Sequence, residues 1–588
     1  MNRIIDIVGD KVRNAYEQAG IDPSFGRVTL SNRPDLCEYQ SSGCLAAAKK
    51  LKQNPMALAE AAAEQLKSDD AFAEVTAAAP GFINMKLSSA FLAEFIREML
   101  ADPRMGLDEQ EQKRIVLDFG GANVAKPLHI GHLRSAIIGE ALKRLGRYMG
   151  HEVIGDIHMG DWGLQMGLII EELKIRKPEL PYFDERFTGE YPSEAPFTIS
   201  ELEEIYPAAS ARAKEDEAFA LAAHEATLKL QSGYAPYRAI WKHIMNVSVA
   251  DLKKNYDRLD VHFDLWKGES DVQELIPPLI EDLEKSGIAY ESEGALIVDV
   301  AEEGDSREIP PCIIRKSDGA ALYATSDLAT LVERERDIEP DDYIYITDMR
   351  QSLHFTQFFR VSRKAGIVPP EHSLTHIGFG TMNGKDGKPF KTRAGGVMRL
   401  EHLIADTEEA VYQRILDNRE ISEEEARETA KTVALAAIKY GDLSNQAAKD
   451  YVFDLDRFTS FEGNTGPYIL YSIVRIKSIL GRYKAEGGST VKASDILPSA
   501  SESEKKLELE LVKFNQVIEE AWEGLAPHIV CRYMFGVAES FNSFYHEVKI
   551  LTEEDEALKK SYLAKLELTK NILTVCSGIL GFSAPERM

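Results

Sequence analysis

The most constraining feature of the sequence is a strand–helix–strand pattern around residue 130. Residues 114–120 (RIVLDFG) are apolar and β-branched and stop at a Gly-Gly pair, which predicts a buried strand. Residues 130–150 keep apolar side chains at helical spacing, and Gly150 is placed to end that helix. Residues 151–160 (HEVIGDIHMG) predict a second strand. Two strands joined by one helix run parallel, so the pattern predicts a parallel sheet with helices on its faces.

A second pattern of the same kind follows about 160 residues later. Residues 321–336 predict a helix, 341–348 (DDYIYITD) a strand, and 353–366 another helix. The intervening segment is charged and helical in pattern. We therefore expect an α/β fold: a Rossmann-type doubly wound parallel sheet with a helical insertion, an α+β N-terminal domain and an all-α C-terminal domain. The expected bounds are 1–110, 111–420 with the insertion at about 170–300, and 421–588.

Composition narrows the class of protein. The chain has 588 residues, a net charge of −27 and five cysteines, none in a CxxC pair, so neither a zinc site nor a disulfide framework is indicated. No stretch approaches the ~20 apolar residues of a membrane span, and the first residues lack a signal-peptide core. A cytoplasmic protein with reduced cysteines is expected. The acidic charge alone argues against nucleic-acid binding, but residues 113–147 carry seven Lys/Arg against two acids.

The segment NVAKPLHIGHLRS (123–135) carries the strongest chemical signal. Pro127 disfavours helix at Lys126, so the helix must start after it and place His129 and His132 in its first turn. A helix start presents free N–H groups and a positive dipole, which suit a phosphate. Gly131 leaves room for close approach of a nucleotide. The alternative is that the two histidines are only capping or surface residues.

Residues 129–132 reproduce the HIGH signature of class I aminoacyl-tRNA synthetases. DFGGANVAKPLHIGHLRSAIIGEAL, followed by HMGDWGLQMG, resembles the catalytic start of arginyl-tRNA synthetases. The resemblance implies an arginine–tRNA ligase that activates L-arginine with ATP to arginyl-adenylate plus pyrophosphate and transfers arginine to the 3′-terminal adenosine of tRNA(Arg). It implies ATP with Mg²⁺ as a substrate complex, no permanently bound metal, no membrane and a monomer.

An arginine pocket makes a specific chemical demand. A guanidinium is planar, always charged and presents five donors, so it needs fixed carboxylates and neutral acceptors. Tyr323 and Asp327 lie four apart on a predicted helix and share one face. Taken alone, such a pair is usually an exposed polar face. The resemblance assigns both to arginine binding and adds Asp118, Asn123 and Gln351.

The resemblance also implies an ATP side. It assigns phosphate contacts to the imidazoles and Gly131, and adenosine contacts to His354 and Gln357, although His354 could simply cap a helix. The second class I signature, KMSK, is replaced by FKTR within 378–396, a Gly-rich stretch that could also be a solvated basic turn. Three candidates there are Lys388, Lys391 and Arg393. We expect Lys126, just upstream of HIGH, and Lys391 to share the pyrophosphate charge.

The flanking regions resemble the RNA-binding parts of the family. The N-terminal unit resembles the additional domain that contacts the tRNA elbow through the D-arm, and the C-terminal helices resemble the anticodon-binding domain. Tyr468 and Arg475 place an aromatic ring and a basic side chain at helical spacing, which suits stacking on unpaired nucleotide bases. Trp162 in the GDWG loop is a third tRNA-binding candidate. Most aromatics on such helices are core residues, and the N-terminal domain could be purely structural.

Three alternative functions can be weighed against the sequence. A ligase that joins an amino acid to a small molecule would not need residues 430–588. A non-catalytic RNA-binding paralogue would be marked by loss of the HIGH histidines or the pocket acids, and all are present. A synthetase for another amino acid is disfavoured by the Tyr323/Asp327 pair, and a cysteinyl enzyme also by the lack of a zinc-binding cysteine set.

Overall fold

A computed structural model describes residues 1–317, 322–388, 398–416 and 422–588. The chain divides into two compact units. The first, here called the terminal unit, contains Met1–Glu109, Ser460–Gly578 and Ser583–Met588. The second, here called the sheet unit, contains Gln110–Thr459 and Ile579–Phe582. All five cysteines are buried and free of disulfides.

The N-terminal part of the terminal unit is an antiparallel sheet covered by helices, which confirms the predicted α+β character. Its elements are α1 (Ile4–Gln18), β1 (Val28–Leu30), β2 (Tyr39–Ser41), α2 (Gly43–Leu51), α3 (Pro55–Leu66), β3 (Phe72–Ala78), β4 (Phe82–Leu87) and α4 (Ser89–Ala101). The strand order is β1-β2-β4-β3. The chain breaks between α2 and α3, where the side chain of Asn54 caps α3 by accepting a hydrogen bond from the Met56 N–H at 2.8 Å.

The sheet unit holds a five-stranded parallel sheet. Its elements are β5 (Arg114–Phe119), α5 (Ile130–Met149), β6 (Glu152–Met159), α6 (Leu164–Arg176), α7 (Ile199–Glu215), α8 (Glu217–Gln231), α9 (Ala235–Arg258), β7 (Leu265–Gly268), α10 (Ile276–Lys285), β8 (Tyr290–Ser292), β9 (Ala295–Val298), β10 (Cys312–Arg315), α11 (Tyr323–Asp337), β11 (Asp342–Asp348), α12 (Ser352–Lys364), β12 (Ser373–Phe379), β13 (Met382–Asn383), α13 (Leu400–Leu416), α14 (Glu423–Leu443), β14 (Tyr451–Val452) and α15 (Leu455–Phe458). The strand order of the parallel sheet is β12-β11-β5-β6-β7.

The site is positioned by the reversal of strand order at β5. From β5 the chain continues through β6 to β7 on one side, and β11 and β12 lie on the other. In an open α/β sheet, ligands bind at the carboxyl ends of the strands where the order reverses. Asp118 near the end of β5 pairs in register with Asp156 on β6 and Tyr345 on β11. The predicted Rossmann-type sheet is confirmed.

One strand differs from the prediction. The segment 170–300 was expected to be a helical insertion, but Leu265–Gly268 pairs parallel to β6 as the edge strand of the main sheet. A further small antiparallel sheet has the order β10-β9-β8. A four-residue strand after a 24-residue helix carries too little periodicity to be recognised from the sequence.

The C-terminal part of the terminal unit is helical, as predicted, with α16 (Gly466–Ala485), α17 (Glu502–Leu511), α18 (Phe514–Glu523), α19 (Pro527–Glu547) and α20 (Glu556–Ile579). It packs on the N-terminal part of the same unit. Arg97 of α4 donates to the carbonyl of Ile496 at 2.9 and 2.6 Å from two nitrogens. None of the helices that the structure describes is both long enough and apolar enough to cross a membrane.

Candidate active site

The two signature histidines cap the start of helix α5. The backbone N–H of Gly131 donates to Nδ1 of His129 at 3.0 Å, and the backbone N–H of His129 donates to Nδ1 of His132 at 3.1 Å. A ring nitrogen that accepts a hydrogen bond carries no proton, so a neutral imidazole here keeps its proton on Nε2. The capping alternative and the phosphate hypothesis are therefore compatible, since capping leaves each ring with an Nε2–H donor.

Both imidazoles are neutral at physiological pH. Burial lowers the pKa of His129, and the positive charge of Lys126 lowers it further. Burial also lowers the pKa of His132 to about 3, and the neighbouring His129 adds to this effect. The ring centroids lie 3.9 Å apart with planes tilted by 35°. A second proton would be unfavourable at that distance, so the pair donates hydrogen bonds without adding charge.

Gly131 has a local role that its motif position did not predict. A Cβ atom at this residue would lie 2.7 Å from Cε1 and 2.8 Å from Nδ1 of His129. Any larger residue would push the capping imidazole out of place. The glycine is therefore needed for the histidine cap itself, in addition to any contact with a nucleotide.

A buried guanidinium lies at the carboxyl ends of β5 and β6. Nη2 of Arg334, on α11, donates to Asp118 Oδ2 and Asp156 Oδ2, both at 2.6 Å, and Nη1 donates to the Tyr345 hydroxyl at 3.0 Å. The side chains of Arg334 and Asp156 are each 2% exposed, whereas that of Asp118 is 14% exposed. Asp118 is thus the member of this cluster that borders solvent, as a substrate contact requires.

The same place contains a group of potential metal ligands. Among the described residues, Asp118, Asp156 and His158 bring ligand atoms within 4.8 Å of one another. The two carboxylates already share the positive charge of Arg334, so a metal ion would have to displace the guanidinium. Burial raises the pKa of Asp118, and the charge of Arg334 opposes that rise. We interpret the cluster as part of the wall of the site, with one carboxylate more than it has cations.

The predicted guanidinium pair lies on one face of α11, which begins at Tyr323. Asp327 is hydrogen-bonded to Nε2 of His354 at 2.5 Å, and the ring of Tyr323 meets the His354 ring edge-on with centroids 4.8 Å apart. Tyr323 is 63% exposed, so most of its phenol ring is open to solvent. His354, which was expected at the adenosine, therefore lies against the pair that is predicted to bind arginine.

The charges of two predicted carboxylates both act on the pKa of the Tyr345 phenol. Burial raises the pKa of Tyr345, and the negative charges of Asp118 and Asp327 raise it further. Asp118 approaches from β5 and Asp327 from α11, on either side of the reversal in strand order. The structure thus brings together carboxylates that are more than 200 residues apart in sequence.

Glu269 is a functional candidate that the sequence interpretation missed. It follows β7 directly and opens a 3₁₀ turn at the same edge of the sheet. Burial raises its pKa to about 7; the charge of His158 opposes this rise, and Asp327 and Asp161 add to it. A partly buried carboxylate whose pKa is raised further by the charge of Asp327 suits a cationic ligand. Its position after a strand was the available signal, but that strand was not recognised.

Asn123 and Gln351 lie in loops that follow neighbouring strands. The backbone beside Asn123 pairs with the chain after β6: the Val124 N–H donates to the Gly160 carbonyl at 3.1 Å, and the Gly160 N–H donates to the Ala122 carbonyl at 3.2 Å. A Cβ at Gly160 would lie 2.1 Å from Asn123 Oδ1, so the amide packs on this glycine. Gln351 ends the 3₁₀ turn that links β11 to α12.

The remaining ATP candidates are only partly described. The side-chain amide of Gln357 donates to the carbonyls of Pro310 and Pro311 at 2.9 and 3.2 Å, which ties α12 to the chain before β10. Lys388 is exposed in a turn after β13. Lys391 and Arg393 lie outside the described residues, so their placement stays a prediction.

Trp162 is an internal anchor of the GDWG loop. Its ring is 4% exposed, its Nε1 donates to Gln273 at 2.8 Å, and the Trp241 ring meets it edge-on at 5.3 Å between centroids. The guanidinium of Arg238 lies 4.4 Å from its ring centroid. Its predicted contact with tRNA stays a prediction, and the ring offers little exposed surface for it.

Tyr468 and Arg475 share one partner in the terminal unit. Asn542 of α19 donates to the Tyr468 hydroxyl at 2.9 Å and accepts from Arg475 Nη1 at 2.7 Å. The Arg475 guanidinium also lies 4.6 Å from the Tyr471 ring centroid and 5.0 Å from that of Tyr545. A cation fixed between two tyrosine rings can stack on a base or bind a phosphate.

Comparisons with family models match three segments of the chain. Residues 95–455 match the catalytic domain of class I (R) tRNA synthetases, 469–588 the DALR anticodon-binding domain, and 2–87 the N-terminal domain of arginyl-tRNA synthetases. The first match alone covers more than half of the chain.

Similar whole proteins support the same assignment. An arginine–tRNA ligase of Agathobacter rectalis is 58% identical, and one of Alkaliphilus oremlandii is 52% identical, each over 100% of both chains. In fold, the chain resembles the arginyl-tRNA synthetases of Plasmodium falciparum, with a TM-score of 0.81 and 24% identity, and Thermus thermophilus, with 0.77 and 22%, over 100% of all chains. With a HIGH helix start and clustered carboxylates at the sheet edge, the chain belongs to the arginyl-tRNA synthetase family of class I arginine–tRNA ligases.

Proposed function

We propose that the carboxyl edge of the parallel sheet binds arginine and ATP side by side and joins them as arginyl-adenylate before transfer to tRNA(Arg). The observation that carries this proposal is the pairing of two neutral Nε2–H donors at a helix start with partly buried carboxylates at the carboxyl edge of the same sheet. The first group suits phosphate oxygens and the second a guanidinium.

The arginine side consists of the residues assigned from the sequence, together with Glu269. Asp327 and Glu269 supply the negative charge that faces the guanidinium, and the phenol of Tyr323 supplies a neutral acceptor. Asp118 is held by Arg334, which leaves its second oxygen for the substrate. Asn123 and Gln351 lie in the loops after β5 and β11, where they can bind the polar end of the amino acid.

The ATP side begins at the imidazoles of His129 and His132, which donate hydrogen bonds to phosphate oxygens. Gly131 allows the nucleotide to approach the helix start. Lys126, Lys388, Lys391 and Arg393 neutralise the β- and γ-phosphates, together with Mg²⁺ that enters bound to ATP. His354 and Gln357, on α12, border the adenosine; His354 also bonds Asp327 and so links the two sides.

The chemistry needs no side-chain nucleophile. An oxygen of the arginine carboxylate attacks the α-phosphorus in line, a new P–O bond forms, and the bond to pyrophosphate breaks. The 2′-hydroxyl of the terminal adenosine of tRNA then attacks the activated carbonyl carbon, and AMP leaves. The protein acts by positioning the reactants and by stabilising negative charge on the phosphoryl group.

The terminal unit is proposed to bind tRNA. Tyr468 and Arg475 present a ring and a cation on α16 for unpaired anticodon bases, and residues 1–110 contact the elbow through the D-arm.

In the sheet unit, Trp162 supports the loop that borders the terminal adenosine. We propose a cytoplasmic monomer.

ATP–pyrophosphate exchange tests the proposal. Exchange is expected with arginine and tRNA(Arg) together, since the resemblance to arginyl-tRNA synthetases implies that tRNA is needed for the first step, and it is not expected with lysine or citrulline. Absence of arginine-dependent exchange in the presence of cognate tRNA would overturn it. His132→Ala should slow exchange while tRNA affinity, measured by filter binding, stays largely unchanged.

A further inference from the structure

Lys126 is held by an aromatic ring from the segment between β6 and β7. Its Nζ lies 4.1 Å from the ring centroid of Tyr206, on α7. The lysine charge also lowers the pKa of both His129 and His132, which places the ammonium near the imidazoles. An ammonium over a tyrosine ring is attracted by the negative face of the ring. Tyr206 therefore fixes a mobile lysine chain beside the expected phosphate site.

The backbone under Lys126 is fixed as well. Ala125 has a φ of +64°, in the left-handed region that residues other than glycine rarely adopt. Its N–H donates to Ser248 Oγ at 2.8 Å in the interior. A strained conformation of this kind persists only where the surroundings hold it, and it is typical of ligand-binding loops.

Side-chain packing and a helix cap hold α7 in place at this contact. Tyr206 packs against a buried cluster that contains Leu168, Ala209, Phe219 and Ala223. The helix start is capped by Thr198 and Glu201 in a reciprocal pair of hydrogen bonds. The tyrosine ring therefore cannot easily follow the lysine if the ammonium moves.

The same face of α7 binds Arg399, three residues after the segment 378–396. Glu203, one turn before Tyr206, accepts a hydrogen bond from Arg399 Nε at 3.0 Å and forms a second contact with its Nη2. The backbone around Arg399 is paired with the HIGH loop: the Ile130 N–H donates to the Met398 carbonyl at 3.1 Å, and the Leu400 N–H donates to the Leu128 carbonyl at 2.9 Å.

We infer that Tyr206 and Glu203 are positioning residues for ATP. Tyr206 holds the Lys126 ammonium near the start of the HIGH helix. Glu203, on the same face of α7, binds Arg399 and so holds the chain that follows the Lys388–Arg393 segment against that helix start. The inference rests on the proposed role of Lys126 as a phosphate ligand. Neither residue touches the reacting atoms; each acts through a cation that it orients.

Arginine- and tRNA-dependent ATP–pyrophosphate exchange tests this inference. Tyr206→Leu removes the ring and should raise KM for ATP about three- to tenfold, as expected for a lost cation–π contact, while KM for arginine stays within about twofold. Tyr206→Phe keeps the aromatic face and should restore the ATP value. Glu203→Gln should raise KM for ATP by about two- to fivefold. Tyr234→Leu, at an exposed tyrosine before α9, is the matched control for loss of an aromatic ring.

The outcomes separate the inference from the function on which it rests. If Lys126→Ala raises KM for ATP but Tyr206→Leu does not, Tyr206 does not position the lysine and the inference is wrong. Equal increases in KM for ATP and arginine would indicate a merely structural role and would also overturn it. If Lys126→Ala leaves ATP use unchanged, the proposed phosphate role of Lys126 fails first.

Discussion

Two buried clusters, one in each unit, join a single cation to two carboxylates and differ in their surroundings. In the sheet unit Arg334 binds Asp118 and Asp156. In the terminal unit Lys565 binds Glu504 and Glu508, with the Glu508 oxygen at 2.7 Å. All three side chains of the second cluster are 0% exposed, whereas Asp118 keeps 14% of its surface at the edge of the sheet.

The difference teaches which buried charges can serve a substrate. Lys565 also donates to the carbonyl of Leu497 at 2.8 Å, so its cluster is closed on the protein itself. Arg334 orients Asp118 but leaves part of its side chain exposed, at the carboxyl edge of the sheet where the strand order reverses. A closed cluster can affect only stability, and an open one can also affect binding.

The largest effect on activity is expected from a substitution in the sheet unit, at the carboxylates near the partly exposed Arg334 cluster. Asp327→Asn keeps the shape of the side chain but removes a charge that faces the guanidinium. The loss of transition-state stabilisation should be about 2–5 kcal/mol, so kcat/KM for arginine should fall at least about 30-fold. KM for ATP should change by less than about threefold. Steady-state exchange kinetics with each substrate varied in turn provide the measurement; equal losses for both substrates would contradict the assignment.

The two cations themselves provide the sharpest pair of variants. Arg334→Gln and Lys565→Met should each destabilise the fold by about 3–5 kcal/mol, because each leaves buried carboxylates without a counter-charge. Urea unfolding measures both effects. In protein that remains folded, only Arg334→Gln should raise KM for arginine. A change in arginine KM with Lys565→Met would break the comparison.

The pH should affect arginine binding at the carboxyl edge of the sheet through the ionisation of Glu269. Its pKa is raised to about 7, so this group stabilises the folded state fully below its ordinary pKa of 4.5 and loses that contribution as the pH rises through about 7. Bound arginine favours the ionised form, so KM for arginine should fall as the pH rises from 6 to 8, by at most about tenfold per unit. Glu269→Gln should flatten this profile, and an unchanged profile in that variant would remove Glu269 from the pocket.

The smallest expected effect concerns the terminal unit. Arg475→Gln removes a cation held between two tyrosine rings and should weaken tRNA(Arg) binding by about two- to tenfold. Lys505, paired with Glu38 in the same unit, offers a matched control in Lys505→Gln. Fluorescence titration of labelled tRNA gives both affinities; a loss no greater than that of the control would argue against an RNA contact at Arg475.

The sequence predicted those parts of the fold that depend on local patterns. Strands β5, β6 and β11 and helices α5, α11 and α12 have strong periodicity or clear stop signals, and the HIGH loop is marked by Pro127 and Gly131. Glu269 was missed because β7 is only four residues long. Burial of Trp162 could not be predicted, since the ring that covers it, Trp241, comes from a helix about 80 residues later. Tyr206 was missed for the same reason: its partner Lys126 is distant in sequence.

The central claim is that two neutral imidazoles and a set of partly buried carboxylates bind the two ends of one arginyl-adenylate. A crystal structure with a non-hydrolysable sulfamoyl analogue of that adenylate tests it most directly. The account predicts the guanidinium within hydrogen-bond distance of Asp327 and Glu269, and a sulfamoyl oxygen within about 3.2 Å of Nε2 of His129 or His132. A guanidinium bound away from both carboxylates, or a sulfamoyl group out of reach of both rings, would contradict it.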